Sequence, residues 1–168
     1  MTVNPDGKIV VADTVASRDG TDNLTGVERI NFDDKSVAFD IKGNAGASYR
    51  LYKAAFDRQP DLGGLGYWMY NLDQGADLAK DVANGFINSK EFQSLYGANT
   101  TNATFIANLY QNVLHRAPDA SGYAYWDKTL SSGVSRANIL TNFSDSNENI
   151  DQVASLVGNG ISYTEYVA

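Results

Sequence analysis

The residues able to do chemistry are few in kind. The chain holds one histidine, His115, and no cysteine. Without cysteine there is no disulfide, no thiolate metal site and no cysteine nucleophile. His115 follows the apolar residues Val113 and Leu114, so it reads as a residue closing a helix rather than as a base. No Gly-x-Ser-x-Gly elbow, no His-Glu-x-x-His and no glycine-rich phosphate loop is present. Carboxylates are plentiful. A glycosidase, however, needs two of them facing each other across about 5 to 10 Å, and no pair stands out by spacing. Asp57-x-Gln59-x-Asp61 opens like an EF-hand, but its twelfth position is Trp68, where calcium requires a bidentate Glu. Asp19-Gly20-Thr21-Asp22-Asn23 is acidic and turn-like but lacks a Gly-Gly-x-Gly-x-Asp repeat. The expectation is no catalytic residue, no metal ligand and no cofactor in these residues.

Aromatic and guanidinium groups remain. Tyr67, Trp68 and Tyr70 form one cluster, and Tyr123, Tyr125 and Trp126 a second. Sugars stack on such rings, and exposed Tyr and Trp mark recognition surfaces. These six are the candidate ligand-binding residues. Neighbours on a helix point about 100° apart, so one ring of each Tyr-Trp pair should face the core. Trp68 and Trp126 are the expected core members, and Tyr70 and Tyr123 the expected exposed ones. Arg58 and Arg116 could hold an anion. The plainer reading is that each caps the carbonyls of a helix end, or pairs with Asp61 or Asp119.

The elements that position these groups come as an internal repeat. Leu51-Tyr52, Phe56, Arg58, Pro60, Asp61, Gly64 and Tyr67-Trp68 recur 58 positions later as Leu109-Tyr110, Leu114, Arg116, Pro118, Asp119, Gly122 and Tyr125-Trp126. Proline breaks a helix and restricts the residue before it. One helix should therefore end near Arg58 or Arg116. The next should begin at the proline, with Asp61 or Asp119 in its first turn, where the helix dipole favours an acid. Gly64 and Gly122 should let a neighbouring helix approach closely. Helices should end near Gly75 and Gly133. Third helices are expected over 77–87 and 135–143, with one residue fewer in the second copy because Phe86 matches Phe143 at a spacing of 57. Ser89-x-Glu91 and Ser146-x-Glu148 should open fourth helices, the last running to about Val157.

Residues 1–42 read as β. Ile9-Val10-Val11, Val27–Phe32 and Val37-Ala38-Phe39 are strand-like, and 4–7, 18–23 and 33–36 turn-like. The expected architecture is mainly α. A small N-terminal antiparallel β head (1–42) precedes a pseudo-two-fold-repeated bundle of about eight helices (43–158; repeats about 45–97 and 102–157), and a tail follows (159–168).

Charge and hydropathy narrow the function. A net charge of −7 argues against nucleic acid, and no run approaches the roughly 20 apolar residues of a membrane helix. Met1-Thr2-Val3-Asn4-Pro5 has neither a basic start nor an apolar block, so no N-terminal signal peptide is expected. Residues 137–168 carry four acids and no Lys or Arg.

Tyr49-Arg50-Leu51-Tyr52-Lys53-Ala54-Ala55-Phe56-Asp57-Arg58-Gln59-Pro60-Asp61, continuing to Tyr67-Trp68, resembles the bacterial domain of unknown function 4214 over about 45–155. The second copy departs from the pattern, with His115 for Asp57 and Ala120-Ser121 for Leu62-Gly63. Arg18 to Asp34 resembles the stretch that follows haemolysin-type calcium-binding repeats in exported proteins. That resemblance implies calcium in upstream repeats, type I secretion through an uncleaved C-terminal signal, and an extracellular or cell-surface location. The leading expectation is a non-catalytic binding or assembly module that recognises polysaccharide or a cell-surface protein. The others are a structural cap and secretion-competent terminus without a ligand, and a polysaccharide-active enzyme module.

Overall fold

The computed structural model describes residues 1–15 and 17–168. Five short strands lead: β1 (Thr2–Val3), β2 (Ile9–Ala12), β3 (Thr21–Leu24), β4 (Arg29–Asn31) and β5 (Ser36–Ala38). Next come α1 (Asn44–Phe56) and α2 (Leu62–Asp73), then a π-helical segment (Leu78–Ala83) that runs into α3 (Asn84–Ile87). After these follow α4 (Lys90–Tyr96), α5 (Asn102–Leu114), α6 (Ala120–Ser131), α7 (Arg136–Ser144), α8 (Asn147–Val157) and a last strand, β6 (Ile161–Tyr163). The fold is mainly helical, with a small antiparallel β region, as the sequence leads one to expect.

Local chemistry explains the helix starts. The side chains of Asp61, Asp77, Ser89, Thr101, Asp119, Ser135 and Ser146 each accept a first-turn N–H, satisfying donors that no helical carbonyl reaches. Helix α1 begins at Gly43 without such a cap. Asp40 serves instead, its Oδ2 accepting from the Ala45 N–H at 3.1 Å.

The corners differ from expectation in register. Helices α1 and α5 stop at Phe56 and Leu114 because the next residues, Asp57 and His115, are left-handed, with φ of 47° and 53°. Helices α2 and α6 start after the prolines, not at them. Asp61 and Asp119 are N-caps in extended geometry, rather than first-turn residues, because their carboxylates accept from Gly64 and Gly122 N–H. A side chain at Gly64 would strike the capping Asp61 carboxylate at 2.8 Å, and one at Gly122 would strike the Tyr110 hydroxyl at 2.2 Å. In the first corner, then, the glycine makes room for the cap rather than for a neighbouring helix.

The spacing change from 58 to 57 has a structural cause. In the first stretch the Val82 N–H reaches back five residues to the Asp77 carbonyl at 3.3 Å. A π turn holds one residue more than an α turn. It absorbs the extra residue before Phe86, whereas the matching α7 is regular.

One apolar cluster joins residues from both stretches, among them Leu51, Tyr52, Phe56 and Phe86 with Phe105, Leu109, Tyr110 and Phe143. A second, smaller cluster gathers Ala38, Tyr49, Leu65, Met69, Val153, Val157, Ile161 and Tyr163. Helix α1 contributes to both. Each large apolar side chain buried there contributes about 1.5–3 kcal/mol.

The β region corrects two expectations. Its strands form two three-stranded antiparallel sheets, ordered β1-β2-β3 and β4-β5-β6. Thr21–Leu24 is a strand, not part of a turn. Gly20, at φ 86°, reverses the chain, and Asp22 and Asn23 then pair with Val11 and Val10. Polar residues suit this exposed edge, so its backbone ladder, not hydrophobic alternation, defines the strand. The expected tail also contains structure. Val37 pairs with Ser162 and Ala38 with Ile161, completing the sheet around the fully buried β5.

Candidate functional site

The two corners are built alike. Arg58 donates through Nε and Nη2 to both carboxylate oxygens of Glu91, at 2.6 and 3.1 Å. Arg116 does the same with Glu148, at 2.7 and 3.0 Å. Each guanidinium lies over the ring of the preceding helix's tyrosine, Tyr52 at 5.1 Å and Tyr110 at 5.0 Å. The nearer acids of the corner are looser partners, Asp61 at 4.0 Å and Asp119 at 3.7 Å. The bidentate Arg–Glu pair was the missed element. Its signal was present, since Glu91 and Glu148 are themselves matched between copies. Both guanidinia are occupied within the chain.

Electrostatics follow the contacts. The Tyr52 hydroxyl, donating to Asp61 at 2.7 Å, together with the Gly64 N–H, holds the Asp61 carboxyl below the usual range. The Ser121 hydroxyl and the Gly122 N–H pull Asp119 down to about 2. Arg116 lowers Glu148. All three groups are stabilised in the ionised form.

The six aromatic candidates separate into two unequal sets. Trp68 and Trp126 are half-buried against the main cluster, packing on Phe86 at 5.3 Å and on Phe143 at 5.1 Å between centroids. Tyr67 and Tyr125 sit edge-on to their tryptophans at 4.9 and 4.8 Å. There the likeness ends. Tyr166 packs on both Tyr67 and Tyr70, at 5.1 and 5.3 Å. Tyr125 has no such cover and is 62% exposed, against 39% for Tyr67. Tyr70 and Tyr123, expected to be exposed, are half-buried. Tyr70 meets Tyr166, and Tyr123 packs against the main cluster, in the position that Leu65 holds in the first stretch. The structure therefore places Tyr67 and Tyr70 against Tyr166 of the C-terminal segment, turns Trp68 to the main cluster, and leaves Tyr125 open on α6.

The backbone shows how α2 is covered. Thr164 donates its N–H to the Leu62 carbonyl at 3.0 Å. A Cβ at Gly66 would stand 1.8 Å from the Thr164 carbonyl oxygen, so only glycine permits this approach. The α6 residue at that position is Ala124, and it is exposed.

Two carboxylates, Asp73 and Glu165, line one small cleft beside Tyr163 and Tyr166. Asp73 is chelated by Arg29 and accepts from Asn44 at 2.8 Å. Burial opposes its charge, but these donors outweigh burial and keep it ionised. Glu165 accepts from Asn31 at 3.1 Å. The two acids tie β4 to α2 and to the C-terminal segment. In the β region, Asp13 is similarly used, taking the Arg18 guanidinium and the Val15 and Asp19 N–H groups. Among the described residues, no group of three or more His, Asp or Glu is arranged to hold a metal ion. Among the described residues, no helix is long and apolar enough to cross a membrane. His115 closes α5 and lies 4.0 Å from Asp57, its counterpart at the end of α1.

A mainly helical module with twin Pro-Asp corners and internally paired charges defines the class. Residues 48–95 and 83–153 match the family model described as a domain of unknown function, DUF4214. The matches span most of the chain, which belongs to this family. No curated protein matches it.

Proposed function

We propose that the chain is a non-catalytic binding or assembly module of an exported bacterial protein, attaching that protein to polysaccharide or to a cell-surface partner. One observation carries the reading. Two helices with the same Tyr-Trp pair differ in cover, and Tyr125 on α6 stands open where Tyr67 is capped by Tyr166. A large exposed aromatic beside a half-buried tryptophan is the composition of a recognition surface. The non-catalytic part is supported by the engagement of Arg58, Arg116, Asp73 and Asp13 in internal pairs. The resemblance of Arg18–Asp34 to the stretch after haemolysin-type calcium-binding repeats supports the exported location, and the corners matched at a spacing of 58 support the two-repeat description.

The test is retention of the chain on immobilised cell-envelope polysaccharide, with a parallel pull-down from envelope extract. Specific retention that falls with Tyr125→Ala supports the module. No retention in either format overturns it.

A second reading, a structural cap and secretion-competent terminus, draws on the C-terminal strand. Residues 137–168 hold most of α7, all of α8 and β6, so deleting them destroys folded structure and says nothing about an export signal. The informative deletion is 167–168, which lies beyond Tyr166. Loss of export with an unchanged Tm supports a terminal signal, and unchanged export sinks that signal.

A further inference from the structure

The two stretches act as an internal control on one cavity. It lies between α1, α5 and α8, has a volume of about 360 Å³, and is lined by Lys53, Asn112, Val113, His115, Asn149, Gln152, Val153 and Leu156. That volume is at the small end of ligand pockets. At the 57-residue spacing, Asn149, Gln152 and Val153 on α8 correspond to Phe92, Leu95 and Tyr96 on α4. The first stretch fills its space. Phe92 and Tyr96 stack face to face at 4.0 Å, and the Tyr96 hydroxyl donates to the Ala54 carbonyl at 3.0 Å. The second stretch replaces two rings with an amide and a valine, leaving a hollow. Cavities that a fold could fill cost stability, and here the same chain carries the filled version.

The lining is polar in a particular way. Asn149 is 2% exposed and spends its Nδ2 on the Ser144 carbonyl at 2.7 Å. Among the described residues, no donor reaches its Oδ1. That oxygen is not sealed off from solvent, so it is open to a ligand's donor. Gln152 makes one long contact, 3.4 Å, to the Leu114 carbonyl, leaving its Oε1 unused. Lys53 is paired with Asp57 at 2.5 Å, so it offers no free positive charge to an anion. The ends of α1 and α5 close nearby at Asp57 and His115, and helix C-termini carry partial negative charge. The floor is the buried aliphatic Val113 and Val153, and the exposed Leu156 stands at the rim. Amides that both donate and accept, set over aliphatic surface, match a sugar ring, whose hydroxyls do both and whose C–H faces are apolar.

We infer that this cavity is a binding site for an uncharged saccharide unit, with Asn149 and Gln152 as its hydrogen-bonding groups and Asn112 in its wall. The inference rests on the polysaccharide form of the binding reading and gives it a site away from the Tyr-Trp corners. The second stretch carries the site because only there is the position of Phe92 an asparagine.

The test is side-chain amide NMR on the whole chain, titrated separately with glucose, galactose, mannose, N-acetylglucosamine and, as an anionic contrast, glucuronate. At least one neutral sugar should shift the Asn112, Asn149 and Gln152 amide signals in a saturable way, with glucuronate at least tenfold weaker. Asn149→Phe, which restores the first-stretch filling, should weaken that sugar at least tenfold. Gln152→Leu serves where Asn149→Phe does not fold and should weaken it about threefold. No saturable shift with any neutral sugar, equal binding of glucuronate, or undiminished binding in a folded Asn149→Phe or Gln152→Leu protein overturns the assignment. Envelope polysaccharide retention separates the two claims. If wild type and Asn149→Phe are retained equally, the cavity assignment fails while the binding module stands. If wild type is not retained at all, the module itself fails.

Discussion

Helices α2 and α6 share a cap, a Tyr-Trp pair and a left-handed glycine at their ends, Gly75 and Gly133, both at φ 94°. They have different neighbours. One face of α2 is a wall of the second apolar cluster through Leu65 and Met69, and the C-terminal segment lies along it. The matching residues of α6 are Tyr123, which packs on the main cluster instead, and Asp127, and among the described residues no strand lies along α6 as β6 lies along α2. The difference teaches that a duplicated corner is a scaffold, while the residues between its fixed positions decide what each copy touches.

Mutations can break or sharpen this comparison. The largest effect tests what the copies share. Leu51 and Leu109 are both fully buried in the same cluster, so Leu51→Ala and Leu109→Ala should each cost about 3–4 kcal/mol in denaturant unfolding, nearly equally. A difference above about 2 kcal/mol would mean the two halves do not share one core.

The next effect tests what they do not share. Gly66→Ala drives a Cβ into the Thr164 carbonyl and should cost about 2–3 kcal/mol, releasing β6, with hydrogen exchange rising at Ile161–Tyr163. The mirror change, Ala124→Gly, meets no such contact and should cost about 1 kcal/mol without affecting β6.

Caps come third. Asp61→Ala should cost about 1 kcal/mol and leave the Tyr52 hydroxyl without its acceptor. Asp119→Ala removes an equally exposed cap together with the acceptor of the Ser121 hydroxyl, and should act in the same direction. The pH dependence follows in sign. Asp61, Asp119 and Glu148 have lowered pKa values when folded. Their stabilisation is therefore complete above the ordinary carboxylate range and is lost as pH falls through the folded values, to about 2 for Asp119. Asp119→Asn keeps a capping oxygen that does not titrate, so Tm should fall less steeply between about pH 4 and pH 2. An unchanged slope would remove Asp119 from the acid transition.

The smallest stability effect belongs to the open ring. Tyr125→Ala should change stability by less than about 0.5 kcal/mol, whereas Tyr67→Ala, which uncovers Tyr166, should cost more. If the two cost the same in thermal unfolding, the C-terminal segment does not cover α2 in solution.

Much of the helical fold could be read from single residues, because the signals are local. Pro60 and Pro118 mark corners, Ser89 and Ser146 mark starts, and even the π turn left a trace in the 57-residue spacing of Phe86 and Phe143. The β region was harder to read. Thr21–Leu24 has no hydrophobic alternation, and Ile161–Tyr163 is too short to declare a strand without its partner Ser36–Ala38. Of the candidate site, the aromatic rings were visible but their cover was not. Arg58 and Arg116 were visible without their partners, Glu91 and Glu148, some 30 residues away.

The sequence by itself determined where helices begin, end and recur, since a proline, a capping carboxylate or a glycine acts on its immediate neighbours. Only the tertiary structure decided which tyrosine is covered, which guanidinium is paired and where a cavity opens. Those outcomes depend on residues far apart in the chain, Gly66 with Thr164 or Arg58 with Glu91, coming within contact distance. No local spacing encodes that distance.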